Sequence, residues 1–277
     1  MSSADPRGRS RPDVDSTLRE IERLHRSRRF RALRQRFFAE GVRNFVQLVD
    51  VDAPIATIVY SDKLCTAALA RKLVRQRRRA GVPVVRLTPE QFRRVSVAER
   101  ASGVGAIVRQ PWSSLDVLRP DTGSCWLALE TVRSPGNLGT LIRSSEALGG
   151  AGFLLLGESV DPFEPTVVRA AMGALFRQRF VRTDRVGLDR WLRRHDVPTL
   201  GASPDGDVDL RELRCRRPPV VILGEERRGL TSEQRRLCRQ LVRIPMTGAT
   251  DSLNLAVAGS LLLYEVQRSL AVSRVVS

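Results

Sequence analysis

An α/β fold in two parts is what this sequence predicts, and three observations predict it. Short runs rich in Val, Ile and Leu alternate with segments of helical periodicity along most of the chain, the pattern of strands separated by single helices. A Pro/Ser/Asp-rich stretch at 109–124, "RQPWSSLDVLRPDTGS", interrupts the alternation and reads as a linker. The 277 residues suit one large or two ordinary domains, and a hydrophobic content of 42% is enough for a core. The expected division is a disordered tail at 1–14, a smaller α/β domain at 15–108, the linker, and a parallel-sheet domain at 125–277.

In the first part, Asp15 and Ser16 are candidate N-caps for a basic helix through "TLREIERLHRSRRFRALRQRF". A helix around "GVRNFVQLV", a strand at "IATIVY", a helix from Asp62 to Ala80, a strand at "VPVVRL", a short helix at "PEQFRRV" and a strand at "GVGAIV" follow. In the second part the order is strand "WLALE", helix "GNLGTLIRSSEALG", strand "GFLLLG", helix "EPTVVRAAMGAL" and strand "QRFVR". A helix around Leu188 to Arg194, strands "PTLGAS" and "PVVILG", helix "TSEQRRLCRQ", strand "LVRIP" and a terminal helix from Ser252 complete it. Strands separated by single helices imply a parallel sheet covered on both faces, with ligands collecting at strand carboxyl ends.

Charge narrows the partners. The chain has 47 basic and 30 acidic residues, a formal net charge of +17, and its only lysines are Lys63 and Lys72. Such an excess favours a polyanion, because each neutralised phosphate releases condensed counterions, and arginine forks onto phosphate and stacks on bases. The densest basic stretch carries Arg23, Arg26, Arg28, Arg29, Arg31, Arg34 and Arg36 around Phe30 and Phe37. A solvated charged helix is the alternative reading of that stretch. Cys65, Cys125, Cys215 and Cys238 show no CxxC spacing and His25 and His195 sit near none of them, so neither metal nor disulfide framework is expected. No apolar run approaches the roughly 18 residues of a membrane span, and the first fifteen residues lack a signal peptide's apolar segment, which predicts a cytoplasmic protein.

Three strand-to-loop transitions in the second part stand out: "SPGNLGTLIR" after "WLALE", "LGEERRGL" closing an apolar strand, and "IPMTGATDSLN" before the terminal helix. Gly, Asn, Glu and Ser at strand ends suit a ligand recognised through main-chain groups, as an adenine edge would be. The first also admits a phosphate-cradling helix N-terminus, although it matches GxGxxG poorly. There is no Ser/His/Asp set, no close carboxylate pair and no Walker lysine, which excludes ordinary hydrolysis and phosphoryl transfer.

Taken together, "NLGTLIR", "LGEERRGL" and "IPMTGATDSLNLAVAGSLLLYE" resemble, in order and register, the three motifs of the SpoU/TrmH branch of the SPOUT RNA methyltransferases. The stretch "DPFEPTVVRAAMGALF" resembles the family's segment before its fourth strand, and "FFAEGVRNFVQLV" with "GVGAIV" resembles the ribosomal-protein-like substrate-binding domain of many members. The resemblance implies a deep trefoil knot between about Val220 and Tyr264, S-adenosylmethionine as cofactor, and transfer of methyl to a ribose 2′-hydroxyl of RNA. It favours large-subunit (23S) rRNA over tRNA, because minimal tRNA members lack the extra domain. In a narrower version of this reading the methylation confers resistance to a ribosome-targeting antibiotic; the alternatives that stay open are a tRNA 2′-O-methyltransferase and a non-catalytic RNA- or ribosome-binding assembly factor with the same fold.

By the same resemblance, Asn137, Arg143, Glu226, Ser252 and Asn254 form the catalytic set, and Leu223, Gly224, Ile244, Met246, Ser252 and Leu253 line the cofactor site. Arg143 matches the motif-one arginine; since a guanidinium stays protonated, its role is expected to be orientation and electrostatic activation rather than proton abstraction. Ser252 has a plain helix N-cap as its alternative, and Glu226 a cap on the following turn. Arg23, Arg26, Arg29, Arg34 and Arg43 are the expected RNA contacts, with Arg169 meeting RNA or a partner subunit of a homodimer. Ala171 and Glu225 depart from the family, which has serine at the first position and a small polar residue or proline at the second.

Overall fold

The computed structural model describes residues 12–157 and 159–275, so the expected tail at 1–14 falls outside the described residues as far as residue 11. The chain divides into two compact units. One runs as far as Gln110 and includes Phe163–Phe176; the other holds Pro111–Pro162 and the chain from Arg177 onward.

In the first unit, α1 (Val14–Arg26) starts earlier than Asp15, because the carboxylate of Asp13 accepts from Ser16 N at 2.9 Å and caps the helix. The expected single helix through Phe37 is broken. The Ser27 hydroxyl accepts from Phe30 N and starts α2 (Arg28–Arg34), and Gln35 ends it with φ 50. The chain then enters β1 (Arg36–Glu40), whose Phe37, Phe38 and Ala39 are buried on both faces of the strand, a burial that outweighs helical propensity. α3 (Val42–Asp50) and β2 (Ile55–Tyr60) follow where expected. α4 (Ala68–Arg79) starts six residues later than Asp62; the chain before it, at Leu64 and Cys65, passes so close to Gly103 that a Cβ on that glycine would overlap its backbone. β3 (Val84–Arg86), α5 (Pro89–Val95) and β4 (Val104–Arg109) complete the run, α5 with the Thr88/Gln91 capping box.

The sheet order is β1-β4-β2-β3, antiparallel except for the β2–β3 pair. Alternation along the strands divides the core. Phe38, Val59, Val85 and Ile107 face α1, α2 and α5 and pack with Leu18, Ile21, Leu24, Phe30 and Phe92. Their neighbours Phe37, Ala39, Ile58 and Ala106 face the opposite side, where α3 contacts β1, β4 and α4. Phe37 there meets Phe163 at 4.8 Å and Phe176 at 6.2 Å between ring centroids.

The second unit is an eight-stranded, all-parallel sheet. β5 (Trp112–Ser113) lies inside the stretch expected to be linker, and it pairs with β8, with Trp112 under the Arg182 guanidinium at 4.1 Å. The run continues through β6 (Trp126–Leu129), α6 (Pro135–Ala147), β7 (Gly152–Leu156), α7 (Pro165–Ala170) and β8 (Arg179–Thr183). α7 belongs by its contacts to the first unit, where it packs on β1; the sequence division at 125 therefore misses this excursion. Then come α8 (Arg185–Arg194), β9 (Thr199–Ala202), β10 (Val208–Asp209), β11 (Val220–Leu223), α9 (Ser232–Arg236), β12 (Gln240–Arg243) and α10 (Leu255–Val275).

The strand order β10-β12-β9-β11-β6-β7-β8-β5 puts β11 and β6 side by side in the middle. Trp126, Ala128, Leu154, Val181, Val220 and Ile222 form one face of the core with Leu188, Trp191 and Leu192 of α8. α10 contacts α6, β9 and β11; a Cβ at Gly259 would press on Leu141 and Leu223, so the helices approach closely there. Contrary to expectation, Leu255–Ser273 of α10 is long and apolar enough to cross a membrane by length and composition, but half of that window is buried within the protein, as in a core helix.

Candidate active site

The loops singled out by sequence all leave carboxyl ends of parallel strands. Residues 130–134 follow β6, residues 224–229 follow β11, and residues 244–254 follow β12. α6 begins at a Ser-Pro pair: Ser134 is the N-cap, its hydroxyl accepting from Asn137 N at 3.4 Å, and Pro135 occupies the first helical position, where its missing N–H costs nothing.

Asn137, Glu226 and Asn254 are joined directly. The Glu226 carboxylate accepts from Arg133 N at 3.2 Å, from Ser134 N at 3.4 Å and from Asn137 Nδ2 at 3.4 Å. Asn137 Oδ1 accepts from Asn254 Nδ2 at 2.9 Å. Asn254 Oδ1 in turn accepts from Ala256 N at 2.8 Å and Val257 N at 3.3 Å, which makes Asn254 the N-cap of α10. The terminal helix thus starts at Leu255 rather than Ser252, because the amide of Asn254 supplies the acceptor that its first turn needs. Each amide donates in one direction and accepts in the other, so the chain of bonds fixes both orientations.

Burial pushes the Glu226 carboxyl up, but the N–H groups of Glu226, Arg133 and Ser134 and the Asn137 amide outweigh it and hold the group below the usual carboxylate range. It is an ionised acceptor at neutral pH. Beside it, Glu225 forms an ion pair with the Arg133 guanidinium, so the two acids grip one residue by side chain and main chain. This gives Glu225 a local partner at the position where it departs from the family. Ala171 is fully buried in the first unit, where α7 ends.

Glu225 and Gly229 close the loop after β11 with reciprocal main-chain bonds of 3.1 and 2.9 Å. A Cβ on Gly224 would overlap the Gly229 carbonyl and the Leu230 nitrogen, so only glycine fits there. Leu223 is buried beneath. Ile244 is half-buried, whereas 246–253, including Met246, Ser252 and Leu253, is exposed and makes no hydrogen bond among the described residues. A buried apolar base, a glycine without a side chain and a stretch of uncommitted main-chain donors and acceptors fit a nucleoside ligand of the S-adenosylmethionine kind.

Arg143 stands apart from the network. It is exposed on α6 and has no ion pair or hydrogen bond among the described residues. The stripe of α6 that meets α10 runs through Asn137, Leu141 and Ser144, the last accepting from Ser260 Oγ at 2.7 Å. Arg133 and Ser134 escaped the sequence reading. The Ser-Pro helix start was a usable signal for Ser134, but nothing in the sequence pairs Arg133 with Glu225 across 92 positions. Glu130, just after β6, is another: it accepts from Gln234 Nε2 at 3.0 Å and from Arg185 Nε at 3.1 Å, tying the starts of α8 and α9 to the central strands.

Among the expected RNA contacts, Arg23, Arg26, Arg29, Arg34 and Arg43 are all exposed, and Arg23 and Arg34 stand 4.0 and 5.7 Å from the Phe30 ring centroid. Two arginines of the same stretch serve the fold. Arg31 is buried and donates to Leu24 O at 2.6 Å at the end of α1, and Arg36 pairs with Glu20 at 2.9 Å. Arg169 donates to Val97 O at 3.1 Å within its unit. Among the described residues no cluster of acids, histidines and cysteines could hold a metal ion.

A model of the SpoU rRNA Methylase family matches residues 124–264, and one of the MRM3-like substrate binding domain matches residues 15–106. Among curated proteins, the 23S rRNA (uridine(2479)-2′-O)-methyltransferase of Streptomyces viridochromogenes is 30% identical over 251 residues, 88% of this chain and 86% of the relative. Among solved structures, an AdoMet-bound rRNA methyltransferase from Sinorhizobium meliloti superposes with a TM-score of 0.84 at 31% identity, over 94% of this chain and 97% of that one. The SpoU methyltransferase AviRb from Streptomyces viridochromogenes, in complex with AdoMet, gives a TM-score of 0.81 at 28% identity over 91% and 97%.

Proposed function

Since the chain belongs to the SpoU rRNA methylase family and is an S-adenosylmethionine-dependent RNA methyltransferase, we propose that it methylates a ribose 2′-hydroxyl of large-subunit (23S) rRNA. The observation that carries this reading is the chain of hydrogen bonds from Glu226 through Asn137 to Asn254, which ties the three sequence motifs into one surface at the sheet's carboxyl edge. The substrate-binding domain matched at 15–106, a basic unit, supports rRNA as the RNA class.

When bound, S-adenosylmethionine supplies an electrophilic methyl group. Leu223, Gly224, Ile244, Met246, Ser252 and Leu253 hold it, Leu223 as an apolar wall and 246–253 through its free main-chain groups. Arg143, permanently charged and uncommitted, attracts the phosphate beside the target ribose and stabilises the negative charge that develops on the 2′-oxygen, whose proton passes to solvent as the methyl is transferred. Asn137, Glu226 and Asn254 position the loops on which these groups sit, so their contribution is orientation. The trefoil threading belongs to the same reading and rests on the family to which the chain belongs.

Arg23, Arg26, Arg29 and Arg34 form the RNA platform of α1 and α2, with Arg43 and Arg169 as further contacts. A homodimer is part of the proposal: Val257, Leu261, Tyr264 and Val272 leave an apolar stripe exposed along α10 at helical spacing. Light scattering on the purified chain reads that directly.

The test is tritium transfer from labelled S-adenosylmethionine to large-subunit rRNA, total rRNA and bulk tRNA in parallel, followed by mapping of alkali-resistant linkages. Label as a 2′-O-methyl group at one large-subunit position supports the proposal. Label in tRNA alone removes the rRNA assignment, and none anywhere in the absence of cofactor binding leaves the assembly-factor reading. Arg143→Ala abolishes transfer while cofactor binding persists; full activity in that variant removes the role given to Arg143. Resistance is read separately, as the growth of a drug-sensitive host expressing the protein.

A further inference from the structure

Arg43 raises a question that the platform on α1 and α2 does not answer, because it lies on α3, on the other side of the four-stranded sheet. That side also carries α4, whose sequence "ALARKLVRQRRR" contains six basic residues and no acid. The six divide sharply by contact. Arg71 donates to Cys65 O at 2.7 Å and Asp62 O at 3.2 Å, and Arg77 pairs with Asp52 at 2.6 Å and donates to Val49 O at 2.7 Å. Lys72, Arg75, Arg78 and Arg79 are exposed, with no side-chain hydrogen bond or ion pair among the described residues.

Their spacing makes a ridge. Lys72, Arg75 and Arg79 fall at i, i+3 and i+7, and Arg78 flanks them one turn beyond Arg75. Like charges at these separations repel and destabilise a helix by some tenths of a kcal/mol per pair. The helix dipole offsets this for Arg78 and Arg79 in the last turn, but not for Lys72 and Arg75. Where this unit uses arginine for stability it supplies an acceptor: Glu20 for Arg36, Glu22 for Arg94, and backbone carbonyls for Arg31 and Arg71. No acid is supplied to the ridge, so its charge is left for an external anion.

We propose that the Lys72/Arg75/Arg78/Arg79 ridge, with Arg43, is a second RNA-backbone surface on the opposite face of the sheet from Arg23, Arg26, Arg29 and Arg34. The unit is then held between two segments of one folded RNA. This rests on the proposed RNA substrate and specifies its class: an RNA whose tertiary structure brings two phosphate backbones to either side of a single α/β unit. A single extended strand reaches only one of the two faces. Because the ridge touches phosphate and not bases, it sets affinity and register rather than sequence choice.

The experiment compares two neutralised chains, K72Q/R75Q/R78Q/R79Q and R23Q/R26Q/R29Q/R34Q, with the unaltered protein. Binding to transcribed large-subunit rRNA is measured across a potassium chloride series, with hydroxyl-radical footprints at low salt. S-adenosylmethionine binding serves as the check that each variant is folded. The proposal expects the ridge variant to flatten the salt slope by about 3, at roughly 0.7–0.9 for each of the lost phosphate contacts. It also expects loss of one footprint segment while the segment lost by the other variant is kept. An unchanged slope, or a single footprint that both variants weaken together, overturns it. Failure of the rRNA methylation reading looks different: both footprints persist and no label is transferred.

Discussion

Asn254 performs two tasks with one amide, and two substitutions separate them. Its Oδ1 caps α10 through Ala256 N and Val257 N, and its Nδ2 donates to Asn137. Asn254→Ala removes both. An N-cap is worth about 1 kcal/mol, and an exposed neutral hydrogen bond adds about 0.5 kcal/mol. For a chain of this size, about 1.5 kcal/mol corresponds to a fall of roughly 3–6 °C in unfolding midpoint. Asn254→Asp keeps the cap, and a negative charge at a helix N-terminus is favourable. It replaces the donor facing Asn137 Oδ1 with an acceptor, however. Asn137 must then turn its own amide to donate to residue 254, which points its oxygen at the Glu226 carboxylate. The aspartate variant should therefore unfold within about 2 °C of the unaltered protein, yet transfer methyl at least tenfold more slowly. Calorimetry and single-turnover transfer read the two effects. An aspartate variant with unaltered transfer would refute the positioning role of the Asn137–Glu226 bond, and an alanine variant with an unaltered midpoint would refute the cap.

The remaining expectations concern single contacts. Gly224→Ala forces apart the Glu225–Gly229 bridge, whose two main-chain bonds are worth about 1 kcal/mol each; titration calorimetry should show S-adenosylmethionine affinity reduced at least tenfold, and unaltered affinity removes this loop from the cofactor site. Glu225→Gln breaks a half-exposed ion pair with Arg133, so stability should change by less than about 1 kcal/mol; the transfer rate of the unaltered protein should fall with added salt more steeply than that of the variant, and parallel salt profiles count against the clamp. His25 donates Nε2–H to Val95 O at 2.9 Å, and burial holds its pKa below the ordinary 6.5. The unfolded chain therefore takes up the proton first as pH falls, and stability present above pH 6.5 declines below it. The His25→Gln variant should show a flatter midpoint against pH between 6.5 and 5, and identical curves would remove His25 as the cause.

Most strands and helices of both units were legible from hydrophobic pattern, as with "IATIVY" and "PEQFRRV", because burial on a defined face leaves a periodic trace. The failures share a cause, since each depended on a partner distant in sequence. β1 was read as helix because "RQRFF" is locally helical, and its strand character comes from pairing with β4, about 70 residues away. β5 hid in a turn-rich stretch because two residues carry no period, and only the edge of β8 makes them a strand. At the site, the motifs name Asn137, Glu226 and Asn254, which hydrogen bonds join in the structure, whereas the hold on Arg133 by both acids is a property of two loops meeting and left no mark in either.

The excursion of residues 163–176 into the first unit bears on how the protein is made. Translation delivers residues 15–110 first, and a self-contained domain of that size folds as it emerges. This one stays unfinished: Phe37 has no cover from Phe163 and Phe176, and α7 is missing from the edge of β1, until another 66 residues have been added. During that interval the chain carries an exposed aromatic side chain and an unprotected edge strand, the features that recruit chaperones or invite pairing between nascent chains. A chain truncated at the boundary that sequence suggests would remain permanently in that state, and the first half of the molecule is complete only once much of the second has been synthesised.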